Sequence, residues 1–256
     1  MANPWIETGK VQTRLAKFFS ENKAEIQNFG STVNQTFEAF VFASTVNWYV
    51  NHGWSIEFRN PQSSSKFVKL KFNTRGQPKL YTYALCTKDN QKIQVRHGLR
   101  VATKHHRIEL AYPANVVLDI AVISDIDLSK HKTDDYVENS CLIAFGEAKH
   151  MSAFAELVAN FIGLVHEMMP NKINQIRLYN GQPLQADHPS PFLYVSGYLY
   201  PTAQGIAETI KDRGLDIDIY DYLTGANMFG VKLPVTFPKR SRKTSASIQS
   251  AKLAHP

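Results

Sequence analysis

The segment FGEAKH, residues 145–150, is the part of the chain from which the fold and a site are predicted. It ends an apolar run, and its charged residues Glu147 and Lys149 stand two positions apart. Because alternate side chains of a β-strand share a face, we expect these two side chains to point the same way. A second apolar run, residues 116–123, contains Asp119. A carboxylate buried inside a strand costs several kcal/mol unless it is paired or bound to a metal, so we predict that Asp119 joins them in one metal-binding hydrolytic site.

The chain is basic, but its charge is unevenly distributed. The formal net charge is +7 over 256 residues, and five basic residues lie after Pro238 with no acidic residue among them. Without those five, the rest of the chain carries only +2. A basic balance indicates a polyanionic partner such as nucleic acid. Here most of the excess lies in the C-terminal stretch, whose clustered members are Lys239, Arg240, Arg242 and Lys243.

The sequence shows no sign of a membrane or secreted protein. No window approaches the ~18 consecutive apolar residues of a membrane-spanning helix. The first residues lack the basic-then-apolar layout of a signal peptide. The two cysteines, Cys86 and Cys141, lie in or near apolar strand-like segments, which favours reduced core residues over a disulfide. We therefore expect a cytoplasmic protein without a membrane partner.

Apolar periodicity predicts an α/β domain. The predicted helices lie at residues 7–28, 33–51, 152–169 and 202–213, and the predicted strands at 67–72, 80–87, 93–101, 116–123, the Glu147 segment, 192–199 and 215–222. A helix between two strands implies a crossover and parallel pairing, so we predict a mixed β-sheet flanked by helices. The predicted divisions are an N-terminal helical extension (1–30), a main domain (31–237) with a β-hairpin inserted at about 76–113, and a basic, disordered tail (238–256).

The order and placement of these residues resemble the PD-(D/E)XK superfamily, which has the restriction-endonuclease-like fold. The core of that family is helix, three strands, helix, strand, with a Glu on the first helix, an Asp in a strand and a (D/E)-x-K triplet. The matching positions here are Glu38, Asp119 and the EAK triplet at 147–149, and the resemblance spans about residues 33–221. Leu118 stands where the family commonly has a proline before the Asp, which leaves the subfamily open.

The resemblance implies a Mg²⁺-dependent nuclease, with Mn²⁺ as the other suitable metal. It implies an endonuclease that hydrolyses phosphodiester bonds, of DNA before RNA, as the effector subunit of a larger antiviral defence or DNA-processing complex. It assigns Asp119, Glu147 and Glu38 to the metal and Lys149 to the attacking water, so these four are the predicted catalytic residues. Mg²⁺ binds through one or two carboxylates, keeps several waters and takes phosphate oxygens directly, which suits this reaction.

A second interpretation assigns no catalytic role to these residues. Glu147 and Lys149 also fit a simple ion pair at a strand end, with Asp119 capping a bend. The chain would then be a catalytically silent nucleic-acid-binding or scaffold subunit that keeps the nuclease-like fold. An intact Asp…Glu-x-Lys set argues against that interpretation, because a degenerate copy usually loses the Lys or an acid.

Further predictions concern nucleic-acid contacts and partners. Arg96, His97 and Arg100 in the hairpin are predicted phosphate contacts, with a solvated hairpin face as the alternative. The basic tail is predicted to add salt-sensitive phosphate contacts, or to act as a solubilising tail. The chain lacks a glycine-rich phosphate loop followed by Lys-Ser/Thr, so any ATP-driven step would belong to a helicase or other ATPase partner in another chain. Cutting both strands of a duplex needs two sites, which favours a homodimer.

Overall fold

The described part of the chain covers the core of the predicted domain. In the computed structural model these residues are 33–61, 68–72, 75–107, 109, 111–174, 178–179, 182–183 and 187–231. The predicted helix at 7–28 and the basic tail at 238–256, with Lys239, Arg240, Arg242 and Lys243, lie outside these ranges.

Five α-helices and nine β-strands make up the described part of the chain. The helices are α1 (Val33–Asn51), α2 (Ala155–Met168), α3 (Pro170–Asn174), α4 (Pro201–Asp212) and α5 (Tyr222–Phe229). The strands are β1 (Ser55–Arg59), β2 (Tyr83–Lys88), β3 (Gln91–Ala102), β4 (Asn115–Ser124), β5 (Leu142–Lys149), β6 (Leu178–Tyr179), β7 (Gln182–Pro183), β8 (Phe192–Val195) and β9 (Asp218–Tyr220).

Seven of the strands form one mixed sheet in the order β1-β2-β3-β4-β5-β8-β9, and β6 pairs with β7 separately. The four pairs from β1–β2 to β4–β5 are antiparallel. The pairs β5–β8 and β8–β9 are parallel. The parallel pairs arise because helices carry the chain back between these strands. The predicted mixed sheet with flanking helices is therefore confirmed. No helix within the described ranges is long and apolar enough to cross a membrane.

The segment predicted as a hairpin insertion supplies β2 and β3, and both are internal strands of the seven-stranded sheet. Strand β3 also pairs with β4 along most of its length. In contrast, residues 68–72, which were predicted to be a strand, form none. Thr82 holds that segment instead, because its hydroxyl accepts from the Lys69 amide at 2.8 Å and its own amide donates to the Lys69 carbonyl at 2.8 Å.

Two apolar cores lie on opposite faces of the sheet. Helix α1 covers one face and is buried on nearly all sides, with Phe37, Val41 and Tyr49 fully buried, as expected of an interior helix. Helices α2 and α4 cover the other face through side chains such as Val158 and Val165. The sheet is thus buried on both sides, which explains why its central strands read as nearly continuous apolar runs.

Strand β3 exchanges its two faces at Gly98. Val95 packs in the core under α1, but Leu99 packs in the core under α2, although both would share a face in a regular strand. Gly98 has a φ of +64°, a conformation that favours glycine. A Cβ there would also lie 2.5 Å from the Lys71 carbonyl oxygen. This irregularity faces the part of β4 that carries Asp119.

Candidate active site

The structure brings Asp119, Glu147 and Lys149 into direct contact. The Lys149 Nζ lies 2.7 Å from Asp119 Oδ2 and 2.7 Å from Glu147 Oε2. Both carboxylates are largely buried, with side chains 20% and 12% exposed, and the lysine is 36% exposed. One ammonium group therefore serves two carboxylates at the edge of the solvent.

The site forms where β4 and β5 stop pairing. Their ladder runs to Ile120 opposite Gly146, so the next pair in register would be Asp119 and Glu147. Beyond that pair, the carboxylates of Asp119 and Glu147, and not backbone carbonyls, accept hydrogen bonds from the backbone amides. The Ala148 amide donates to Asp119 Oδ2 at 3.0 Å, and the Asp119 amide donates to Glu147 Oε1 at 3.4 Å. The two carboxylates thus occupy the space that opens between the strands.

Strand β4 also changes faces at this place, which matches the change in β3. Leu118 packs in the core under α2, and Ile120 packs in the core under α1. Asp119 stands between them and is opposite the left-handed Gly98, where the register of paired residues is interrupted. The irregular backbone therefore lets a polar side chain leave an otherwise apolar strand.

The charges of the site are unbalanced. Burial and the neighbouring Asp119 carboxylate raise the pKa of Glu147 to about 7, although Lys149 partly opposes the shift. Burial by itself would lower the pKa of Lys149, but the two carboxylates outweigh burial and raise it. Lys149 therefore remains a cation at neutral pH, while the carboxylates carry more negative charge than it neutralises.

This donor set fits a small hard cation. Mg²⁺ prefers carboxylate oxygens and often takes one or two carboxylates with waters in its other positions. Asp119 and Glu147 supply such a pair, and a divalent ion would relieve the repulsion that raises the Glu147 pKa. Among the described residues no group of three His, Cys, Asp or Glu side chains is placed to hold a metal, so the protein would supply two carboxylate ligands.

Glu38, the fourth predicted catalytic residue, lies apart from this contact. Its Oε2 is 3.2 Å from Nε2 of His97, whose side chain is 1% exposed. Neither ring nitrogen of His97 has a hydrogen-bond partner in the described part of the chain, so this contact is a close approach without a hydrogen bond. Glu38 is not among the charges that shift the pKa of Glu147 or Lys149. We therefore place Glu38 beside the site with His97.

The predicted phosphate contacts of the hairpin are mostly interior residues. Arg96 is buried, donates to Gln94 Oε1 at 2.7 Å and stacks 3.9 Å over the Tyr83 ring. Burial lowers the pKa of Arg96 to about 10. Arg100 is half-buried and donates to Asn115 Oδ1 at 2.7 Å. Tyr83 and Gln94 cover Arg96, and Phe42 and Glu38 of α1 lie against His97, so neither side chain lies on a solvated hairpin face.

One residue of the site escaped the sequence reasoning. Gly146 precedes Glu147 and faces Phe192 of β8, and a Cβ at Gly146 would lie 2.1 Å from the Phe192 ring. The absence of a side chain therefore allows β8 to pack closely against β5 beside the carboxylates. A glycine within an apolar strand was the available signal, since such glycines often mark a close approach.

Comparisons with known proteins add no relative to this picture. No family model, no curated protein and no solved structure matches the chain. The chemistry of the site is therefore inferred from its geometry and charge. A lysine held between two buried carboxylates can stabilise a developing negative charge, orient a water, or serve as a structural ion pair.

Proposed function

We propose that the protein is a metal-dependent nuclease of the PD-(D/E)XK type that hydrolyses phosphodiester bonds, in DNA before RNA. The observation that carries this proposal is the Lys149 ammonium held between Asp119 and Glu147 where two strands separate. Two carboxylates with excess negative charge, beside a permanent cation, suit the hydrolysis of a phosphodiester on a divalent metal.

The element order supports the same proposal. Helix α1 precedes the antiparallel strands β3, β4 and β5, which are followed by α2 and by β8 parallel to β5. With β1, β2, α3 and the β6–β7 pair set aside as additions, this order is similar to the helix, three strands, helix, strand order of the restriction-endonuclease-like core. Asp119 lies in the second of these three strands, and Glu147 and Lys149 end the third, as the resemblance implies.

Each residue of the site has a distinct role in this proposal. Asp119 and Glu147 would hold Mg²⁺, which when bound neutralises phosphate charge and lowers the pKa of a bound water. Lys149 cannot act as a general base at neutral pH, because the two carboxylates raise its pKa. It acts as a fixed cation that donates to the attacking water or to a phosphate oxygen, where charge develops in the transition state.

The silent scaffold remains the second candidate, and one observation favours it. The Lys149 ammonium already contacts both carboxylates at 2.7 Å, which also describes a structural ion pair between neighbouring strands. The two candidates differ in what a substitution removes. A structural pair contributes to stability alone, whereas a catalytic lysine contributes to rate.

The deciding experiment is a cleavage assay on plasmid DNA, single-stranded DNA and RNA with Mg²⁺, Mn²⁺ or EDTA. Wild-type protein should cleave with either metal and stop with EDTA, and Lys149→Ala should lose cleavage. Lys172→Ala is the matched control, because Lys172 forms another largely buried ion pair, with Asp216 at 2.5 Å. Equal cleavage by wild type and Lys149→Ala would refute the proposal, and absence of cleavage in every condition would favour the scaffold.

A further inference from the structure

An exposed apolar surface lies at the end of the sheet that carries Lys149. Strands β5, β8 and β9 are parallel, so their carboxyl ends share one edge. Of the nine large apolar side chains exposed in the described part of the chain, six belong to the segments that follow these strands: Met151, Phe154, Tyr198, Tyr200, Leu223 and Met228. In open α/β sheets the carboxyl ends of parallel strands are the usual place for ligands.

Four of these residues, Met151, Phe154, Tyr198 and Tyr200, lie on two segments joined by backbone hydrogen bonds; we call them the platform. The Gly197 amide donates to the Met151 carbonyl at 3.1 Å, and the Tyr200 amide donates to a carbonyl in the same segment, that of Ala153, at 2.9 Å. The Ala153 amide in turn donates to the Tyr198 carbonyl at 3.0 Å. These bonds continue the β5–β8 ladder and hold the side chains of the platform on a fixed backbone.

The platform is continuous with the candidate active site. The Lys149 carbonyl accepts from the Ser196 amide at 3.1 Å and from the Met151 amide at 2.8 Å. Met151 thus stands two residues beyond the lysine that contacts both carboxylates. The chain turns here, and two residues can span at most about 7 Å, so the platform begins next to Lys149.

The tyrosine rings offer surfaces suited to stacking. Their centroids are 4.8 Å apart with an interplanar angle of 67°, and the residues Tyr198 and Tyr200 are 56% and 38% exposed. Exposed aromatic rings on a fixed backbone lose little conformational entropy when a flat ligand stacks on them. Every nucleic-acid base has such a flat face, so stacking tolerates any base sequence.

The local charge favours an anion beside the platform. Helices α2 and α4 both begin here, and their N-cap residues, Phe154 and Tyr200, form no side-chain capping hydrogen bond. Helix α4 has Pro201 in its first turn and no acidic residue there, whereas α2 has Glu156. The positive end of the α4 dipole is therefore not offset by its own side chains, which suits a phosphate group next to the stacked base.

We propose that the platform binds unpaired bases of a nucleic-acid strand whose backbone enters the Asp119, Glu147 and Lys149 site. This inference rests on the proposed nuclease function and specifies its substrate as a strand with unpaired bases. In a duplex the base faces are stacked on one another and only their edges are open in the grooves. An intact duplex therefore offers the platform nothing to stack on, but a single strand, a flap or an opened end does.

Binding is tested on the full chain in EDTA, so that cleavage does not interfere. The probes are a fluorescein-labelled single-stranded DNA, the RNA of the same sequence and the blunt DNA duplex, followed by anisotropy. Wild type should bind single strands more tightly than duplex. Tyr198→Ala and Tyr200→Ala should each weaken single-strand binding by about 5- to 100-fold, as expected for lost stacking on one base. Tyr198→Phe should bind like wild type, because it keeps the ring.

Tyr112→Ala is the control for loss of an exposed tyrosine. Tyr112 is 89% exposed and belongs to the connection between β3 and β4, where the Lys104 amide bonds to the Glu167 carbonyl near the end of α2. Helix α2 is 14 residues and about 21 Å long, so this connection lies one helix length from Phe154. Its loss should leave binding of every probe unchanged.

The outcomes separate this inference from the nuclease proposal. Equal affinity for single strand and duplex, or single-strand binding unaffected by both Tyr→Ala variants, overturns the platform even if Lys149→Ala abolishes cleavage. Tyr-dependent binding of single strands in a protein that never cleaves supports the platform and refutes the nuclease. If sedimentation shows that the Tyr→Ala variants abolish self-association while strand binding persists, the surface is an interface between copies of the chain and the inference fails.

Discussion

Two largely buried lysines in this protein contact carboxylates in different ways. Lys149 lies between Asp119 and Glu147, at 2.7 Å from each. Lys172, in α3, contacts Asp216 at 2.5 Å, and the same carboxylate accepts from the Ser190 hydroxyl at 2.5 Å. Lys149 therefore contacts two carboxylates, whereas Lys172 contacts one.

Under the proposed function, this difference separates the candidate catalytic cluster from a structural one. In the Lys172 cluster the ammonium contacts one carboxylate, and a hydroxyl donates to the second oxygen of that carboxylate, as expected of a buried pair that persists for stability. In the Lys149 cluster the excess negative charge raises the pKa of Glu147 to about 7. Perturbed pKa values gather at functional sites because groups there are arranged for chemistry or binding.

The positions of the clusters agree with that distinction. Asp216 joins α3 to the segment before β9, since its amide also donates to the Lys172 carbonyl at 3.1 Å. The Lys149 cluster connects β4 and β5, which already pair with each other, and it lies where their pairing ends. A stabilising pair belongs between elements, whereas a site for a ligand belongs where backbone pairing leaves space.

The largest expected contrast is in the cleavage rate. Lys149→Ala should lower kcat by about a hundredfold or more, the usual effect of removing a group that stabilises transition-state charge. Lys172→Ala should keep the wild-type rate per folded molecule. The measurement is single-turnover cleavage with Mg²⁺ below the melting temperature of both variants. Similar losses in the two variants would mean that both lysines act through the fold.

In thermal stability, Lys172→Ala is expected to have the larger effect of the two variants. Lys172→Ala leaves Asp216 largely buried without its ammonium, which should cost about 1–3 kcal/mol and lower the Tm by about 3–10 °C. Lys149→Ala should lower the Tm less, because Glu147, with its pKa already raised to about 7, can take up a proton when the cation is removed. Thermal unfolding at neutral pH in EDTA gives both values. A larger decrease in Tm from Lys149→Ala would identify Asp119, Glu147 and Lys149 as a structural cluster.

Neutral substitutions of the two acids, Glu147 and Asp216, should change the free energy of unfolding in opposite directions. A carboxyl whose pKa is raised by folding destabilises the folded state progressively as the pH rises from its unfolded pKa, 4.5 for Glu147, to its folded pKa of about 7, and the full loss is present above that pH. Glu147→Gln should therefore raise stability at pH ~8, on the order of 1–2 kcal/mol, while abolishing cleavage. Asp216→Asn should lower stability at the same pH, because Lys172 loses its counter-ion. Denaturant unfolding of both variants tests the pair, and destabilisation by Glu147→Gln would contradict the assignment.

The smallest expected contrast is in metal-induced stabilisation. A ligand that binds only the folded state stabilises it by about 1.4 kcal/mol at tenfold its Kd, or about 3–6 °C in Tm. Mg²⁺ should produce this shift in wild type and in Lys172→Ala, and none in Asp119→Asn. Differential scanning fluorimetry with Mg²⁺, and with K⁺ at matched ionic strength, measures it. An equal shift in Asp119→Asn would place the ion elsewhere.

Much of this arrangement could be read from local patterns. The apolar runs around Asp119 and before Glu147 predicted two buried strands, and the two-residue spacing to Lys149 predicted a shared face. The structure contains both strands, adjacent in the sheet, with the three side chains in contact. These predictions succeed because the hydrophobicity of a strand's own residues indicates whether the strand is buried.

Other features depend on partners distant in the chain. Arg96 looks like a solvated base in its local sequence, but Tyr83 and Gln94 bury it by stacking and hydrogen bonding. Residues 68–72 alternate like a strand, yet Lys69 bonds to Thr82, just before β2, and the segment forms no strand. Neither outcome is contained in a local pattern, because both depend on which strands become neighbours.

The sequence by itself thus determined which segments are apolar strands and helices, and which polar residues interrupt them. Only the tertiary structure decided that β4 and β5 separate at Asp119 and Glu147, that Glu38 lies with His97, and that the segment of Tyr198 and Tyr200 bonds to the segment that follows Lys149. The physical reason is that hydrophobic periodicity is a property of short segments. Charge balance, strand separation and exposure arise from contacts between residues far apart in the chain.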